Sequence, residues 1–131
     1  MTRYAFGDVI LVPFPFTDLS TKKQRPAVVI SSNRYNTERP DLILLAITSQ
    51  VRASLAFGEA LVADWQPAGL IKPSIFKPLI TTIEQVLVIK RLGNLSTNDK
   101  TVLRTVIEKI VGPIDWTDQA MVNRVKALLA S

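Results

Sequence analysis

Arg25 is the residue of this chain best placed by its neighbours to grip an anion. It ends a polar stretch from Thr17 to Gln24 and directly precedes Pro26, which biases its backbone toward an extended shape. A guanidinium held there presents a fork of fixed donors that suits a phosphate. The plainer identity is a surface arginine at the start of a strand. Thr48-Ser49-Gln50 closes the apolar run Leu42-Ile43-Leu44-Leu45-Ala46-Ile47. Hydroxyls at such a lip can donate to a developing oxyanion, and they are also common in strand-end turns.

Gly69-Leu70-Ile71-Lys72-Pro73-Ser74 is a glycine turn that presents a lysine ahead of an apolar run. Lys72 and Lys77 can reach a nucleic-acid backbone or stand as solvated charges; for Lys77 the solvated reading is favoured. Lys22 and Lys23 add positive charge just before Arg25. Glu84 can act as a base if it faces a substrate, and is otherwise an exposed turn residue. Trp65, Phe57 and Tyr35 can stack on bases or fill core and interface.

The composition narrows the chemistry further. The chain has 131 residues, no histidine and no cysteine. Mechanisms that need imidazole or thiolate are therefore excluded, as are disulfides. A nuclease on this chain must work with arginine, hydroxyls, carboxylates or backbone donors. A net charge of +5 attracts polyanions, nucleic acid foremost. Apolar residues make up 47% of the chain, which is rich for a small monomer and argues a homodimer. Met1-Thr2-Arg3-Tyr4 lacks the apolar stretch of a signal peptide, and no run is long enough to span a membrane. A cytoplasmic location is expected.

The elements that must position these residues follow from the patterning. Val9 to Phe14 reads as a strand with little alternation, and Pro13 and Pro15 put its end at an edge. Thr17 to Gln24 is too polar to be buried and reads as a loop. Ala27 to Ser32 reads as a second strand, Asn33 to Asp41 as a connection, Leu42 to Thr48 as a third strand and Leu55 to Val62 as a fourth. Trp65 to Ala68 turns the chain. Ile75 to Thr82 and Val86 to Lys90 read as further strands, with Gly93-Asn94 ending the sheet. Ser96 to Asp99 has the form of a capping box. Leu103, Val106, Ile107 and Ile110 then recur at helical spacing up to Gly112-Pro113. A second helix begins near Thr117, with Met121, Val125, Leu128 and Leu129 on one face. Short strands followed by helices argue one domain over 1–131: a small β-barrel or strongly bent sheet closed by C-terminal helices.

Taken in order, Gly7-Asp8-Val9, Arg25-Pro26-Ala27-Val28-Val29, Tyr35-Asn36, Ile47-Thr48-Ser49, Gly69-Leu70-Ile71-Lys72-Pro73-Ser74 and Leu92-Gly93-Asn94-Leu95-Ser96 resemble the MazF/PemK toxin family over roughly residues 5 to 112. Phe14-Pro15-Phe16-Thr17-Asp18-Leu19 is similar to its PemK-like branch. The resemblance implies a mainly β fold, an SH3-like small β-barrel (MazF/CcdB-like) with a C-terminal helix, and a homodimer. It implies an endoribonuclease that needs no metal or other cofactor. Such enzymes cut single-stranded mRNA at a short sequence and leave 2′,3′-cyclic phosphate and 5′-hydroxyl ends. It also implies a cognate antitoxin protein as partner. Arg25 and Thr48, with Ser49 beside it, match the family's catalytic positions, and Thr17, Lys22, Lys23 and Lys72 are the expected RNA contacts. The chain departs from the family in two places. The late-strand arginine of many members is absent, with Thr81 nearest to its position, and the stretch at about 113–131 extends past the usual core. Two other readings share the architecture: a non-enzymatic CcdB-like toxin that binds gyrase, and an SH3-like RNA- or protein-binding module without activity.

Overall fold

The computed structural model describes residues 3–13, 23–112 and 118–130. Six strands form one antiparallel sheet: β1 (Asp8–Pro13), β2 (Gln24–Val29), β3 (Asp41–Thr48), β4 (Ala60–Val62), β5 (Ser74–Glu84) and β6 (Lys90–Asn94), in the spatial order β4-β5-β3-β2-β1-β6. Three helices accompany them: α1 (Asn33–Glu38), α2 (Thr97–Val111) and α3 (Gln119–Ala130).

Both faces of the central strands are buried, which is why their sequences show little alternation. On one face Val9, Val28, Leu45, Ile47 and Phe76 pack with Leu103 and Val106 of α2. On the other, Ile10, Val12, Ala27, Val29, Leu42 and Leu44 form a second cluster, rimmed by Tyr4, Ile83 and Val88. Among the described residues no helix residue belongs to that second cluster, and the sheet curls around it. Register shifts between Val9 and Ile10 and between Leu45 and Ala46 supply the extra bend. The expected bent sheet with C-terminal helices is thus present, as a curled half-barrel with β4 and β6 at its edges.

Several boundaries differ from the expectation. The stretch read as a connection from Asn33 to Asp41 contains the helix α1. Ser32 caps it, its hydroxyl accepting from the Tyr35 N–H at 3.1 Å, and Arg39 is extended because Pro40 follows. The fourth strand shrinks to Ala60–Val62. The run read as a strand from Val86 to Lys90 begins as a 3-10 turn, Gln85–Leu87, because the Gln85 side chain reaches away to donate to the carbonyls of Asn36 (2.8 Å) and Arg39 (3.0 Å). In α3, Val122 is buried and Met121 and Val125 half-buried, while Leu128 and Leu129 are exposed. The helix therefore turns a different stripe inward from the one expected. Thr117 lies outside the described residues.

The capping box is only half made. The Ser96 hydroxyl accepts from the Asp99 N–H, but the Asp99 carboxylate does not reach back. Fully buried, it accepts from the backbone N–H groups of Ala63 (3.0 Å) and Asp64 (2.8 Å), tying the turn after β4 to the start of α2. Among the described residues no helix is long and apolar enough to cross a membrane.

Candidate active site

The sheet carries Arg25 and Thr48 to one place. β2 and β3 pair with Ala27 opposite Ala46, Val28 opposite Leu45 and Val29 opposite Leu44. The pairing itself ends at Ala27–Ala46; the same register continued two residues would set Arg25 across from Thr48, and alternation puts both on the Ala27–Ala46 face. Their neighbours in the row agree: Val12 of β1 faces Arg25, and Ile75 of β5 faces Thr48. The row lies at the end of the sheet where β1 finishes, β2 begins, β3 finishes and β5 begins.

Neither group is occupied by its own fold. Arg34, Arg39 and Arg91 each hold a carboxylate, of Glu38, Asp41 and Asp8 respectively. Arg25 is half-buried and has no ion pair or hydrogen bond to its guanidinium among the described residues. Thr48 Oγ1 accepts from the Gln50 N–H at 3.2 Å, which fixes the hydroxyl at the strand's end and leaves its proton for donation. An unpaired guanidinium fork and a hydroxyl proton at the same end of the sheet, on an apolar floor, suit an oxyanion such as a phosphate.

The other expected residues divide. Lys23 and Lys72 are exposed and flank the same end of the sheet, the first just before β2 and the second just before β5. Ser49 is exposed and lies in a bend directly after the end of β3, beside Thr48 in the chain. Thr17 and Lys22 lie outside the described residues. Glu84 pairs with Asp41 at the far end of β3, seven residues from Thr48 and therefore roughly 23 Å away. Tyr35 is also at that far end. Its hydroxyl donates to Asp41, and Arg39 sits over its ring at 5.7 Å. That hydrogen bond pushes the Tyr35 hydroxyl's pKa up and holds the Asp41 carboxyl below its ordinary value. Trp65 packs against the helix-side core, whereas Phe57 is exposed. Thr81 faces Leu44 on the Arg25 side, further from the row. Among the described residues no group of three or more His, Cys, Asp or Glu side chains is placed to hold a metal.

Asn36 is a functional-looking polar residue with a structural task that the residue pattern did not disclose. It is buried, donates to the carbonyls of Tyr4 and Ser31 at 3.1 Å each, and accepts from the Ser31 hydroxyl. Gly69 and Gly93 are likewise structural, since each lies against the other's strand or turn backbone.

Residues 5–111 match a family model described as PemK-like, MazF-like toxin of type II toxin–antitoxin system. Comparison with curated proteins gives no match. Among solved structures, the chain is similar to an endoribonuclease in complex with its cognate antitoxin from a mycobacterial species. The TM-score is 0.68 at 16% identity, covering 85% of this chain and 97% of that one. It is similar to the Mycobacterium tuberculosis toxin MazF-mt6 (TM-score 0.66, 18% identity, 83% and 99% covered). A MazE–MazF crystal structure from Deinococcus radiodurans is comparable (TM-score 0.68, 15% identity, 86% and 100% covered). At these identities the structural likeness establishes the fold.

Proposed function

The chain belongs to the PemK-like, MazF-like toxins of type II toxin–antitoxin systems, and on that premise we propose that it is a metal-independent endoribonuclease acting on single-stranded mRNA. The observation that carries this reading is the shared row of Arg25 and Thr48, each with its donors free. The whole chain, 1–131, acts as one toxin domain with the segment at about 113–131 added to it. A cognate antitoxin is its protein partner, as in the complexes among its structural neighbours, and it works as a homodimer in the cytoplasm.

The chemistry needs no imidazole. The ribose 2′-oxygen attacks the adjacent phosphorus, and the bond from phosphorus to the 5′-oxygen breaks. The products are a 2′,3′-cyclic phosphate and a 5′-hydroxyl. One proton leaves the 2′-hydroxyl and one arrives on the 5′-oxygen. Arg25, permanently charged, binds the phosphate and offsets the charge that builds on its oxygens. Thr48 donates to a non-bridging oxygen, a bond that strengthens as that oxygen becomes more negative. Ser49, Lys23, Lys72 and, on the preceding loop, Thr17 and Lys22 hold the strand around that phosphate.

The test is cleavage of long RNAs by the purified, antitoxin-free protein in excess EDTA, beside Arg25→Ala. Cutting that persists in EDTA, leaves cyclic phosphate ends and disappears in the variant supports the proposal. A folded protein that cuts none of several long RNAs refutes it. Stalling of gyrase by that same preparation would favour a CcdB-like action instead.

A further inference from the structure

Lys77 stands on the same face of the sheet as Arg25 and Thr48. It pairs with Ala46, two residues before Thr48 on β3. Directly opposed residues of an antiparallel pair share a face, and alternation keeps Ala46 and Thr48 on one side. Lys77 is therefore the diagonal neighbour of Thr48, with Cβ atoms roughly 7 Å apart. Across the row from it are Ala46 and Ala27, so among the paired strand residues only short side chains stand between Lys77 and β2.

Two features hold Lys77 in that position. The next regular pair after Ala46–Lys77 is Leu45–Ile80, so Pro78 and Leu79 are extra residues in β5. Such a bulge bends the strand and re-aims the side chain beside it. On its other side, β4 pairs only with Ser74, Ile75 and Phe76 and stops short of Lys77. The side chain is exposed and has no carboxylate partner among the described residues.

We infer that Lys77 forms a second anion subsite, binding the phosphodiester next to the one held by Arg25 and Thr48. This rests on the ribonuclease reading above. The spacing suits a single-stranded polyanion. A lysine stem reaches about 6 Å, so its ammonium can meet a phosphate one nucleotide along from a group bound at the Thr48 row. As a point charge without a fork, it tolerates any base and any phosphate orientation. The competing role is a charge that keeps an open sheet edge from pairing with other chains. That role makes no contact with RNA and leaves a different signature.

The experiment compares wild type, Lys77→Gln and Lys77→Arg. Binding is measured with a mixed-sequence 2′-O-methyl oligonucleotide pool, which lacks the attacking hydroxyl. Lys77→Gln is expected to bind severalfold more weakly and to flatten the dependence of log affinity on log salt by about 0.7, the value for one lost contact to a single strand. Lys77→Arg should restore both. On a mapped cleavage site, KM should rise in Lys77→Gln with kcat nearly unchanged. Unchanged affinity and salt slope in a folded Lys77→Gln protein would overturn the subsite, as would a change confined to self-association. An active wild type beside an unaffected variant removes only this inference. A wild type that cuts no RNA removes the activity on which it rests.

Discussion

Gly69 and Gly93 hold two backbone segments in direct contact. A methyl at Gly69 would lie 2.0 Å from the Leu92 carbonyl oxygen, and one at Gly93 would lie 2.4 Å from the Ala68 carbonyl oxygen. Backbone cannot move aside as a side chain can, so these positions admit no Cβ. The crossing anchors the turn that leads into β5 against β6, and β5 in turn carries Ile75 and Lys77 to the Arg25–Thr48 row.

Gly93→Ala should therefore cost about 3 kcal/mol or more, in the range of strongly disruptive substitutions. Gly112→Ala is the contrast. Gly112 has φ +91 and ψ 140, but among the described residues nothing lies within 4 Å of its added Cβ, so only backbone strain of about 1–3 kcal/mol is incurred. Chemical denaturation of the two variants beside wild type checks the order. Equal losses would contradict the steric account.

The Asp99 carboxylate accepts from the backbone N–H groups of both Ala63 and Asp64. Asp99→Ala should leave the Ala63 and Asp64 amides unpaired in a partly buried turn, a loss of about 2–3 kcal/mol. Asp99→Asn keeps one acceptor oxygen and should fall between. Hydrogen exchange at Ala63 and Asp64 should speed up in both variants before the sheet amides do.

Much of this was legible along the chain, and the failures share one cause. Strands such as Leu42 to Thr48 declared themselves because burial on both faces demands an unbroken apolar run. Arg25 and Thr48 were legible as individual residues because each ends an element. Their facing each other was not, since register is a relation between strands that hydrophobic pattern alone does not express. α1 was missed because it is one short amphiphile-free turn and a half, fixed by the Ser32 cap and by Pro40 rather than by periodicity. Gln85 and Asn36 were read past because their partners are carbonyls remote in sequence. Lys77 was read as a solvated charge, and it is exposed; what the sequence could not give is its face, which only its pairing with Ala46 reveals.

The Tyr35–Asp41 hydrogen bond should leave a pH signature. Asp41's folded pKa is depressed, chiefly by the Tyr35 hydroxyl, so its stabilisation is complete above the ordinary carboxyl value and lost as pH falls through the depressed one. Tyr35's folded pKa is raised, chiefly by Asp41, so its share is complete below the ordinary phenol value and lost as pH rises through the raised one. The stability gap between wild type and Tyr35→Phe should be present between these limits and close at both. A gap that persists in strong acid would contradict this pairing.

The proposed attacking group is the ribose 2′-hydroxyl. A single 2′-deoxy substitution on the 5′ side of a mapped scissile phosphate should abolish cutting there while leaving binding nearly intact. Neighbouring deoxy positions should have far smaller effects. DNA of the same sequence should bind and stay whole. Cleavage of the singly deoxy substrate at the same bond would require a water nucleophile and a different mechanism.

Arg25, Thr48 and Ser49 can be separated by their geometry. Arg25→Ala removes the phosphate's counter-charge and should lower kcat about 10²–10³-fold, as loss of an oxyanion donor does elsewhere. Arg25→Lys keeps the charge without the fork and should recover only part of that. Thr48→Val keeps the shape and deletes the donor, so kcat should fall more than KM rises. Thr48→Ser should restore most of it. Ser49 sits in the bend past the end of β3, outside the strand that holds Thr48 in the row. Ser49→Ala should therefore cost much less than Thr48→Val. Single-turnover cleavage of one mapped RNA by all five variants measures the order. If Ser49→Ala proves as damaging as Thr48→Val, the hydroxyl in the bend, and not strand β3 alone, supplies the donor to the phosphate.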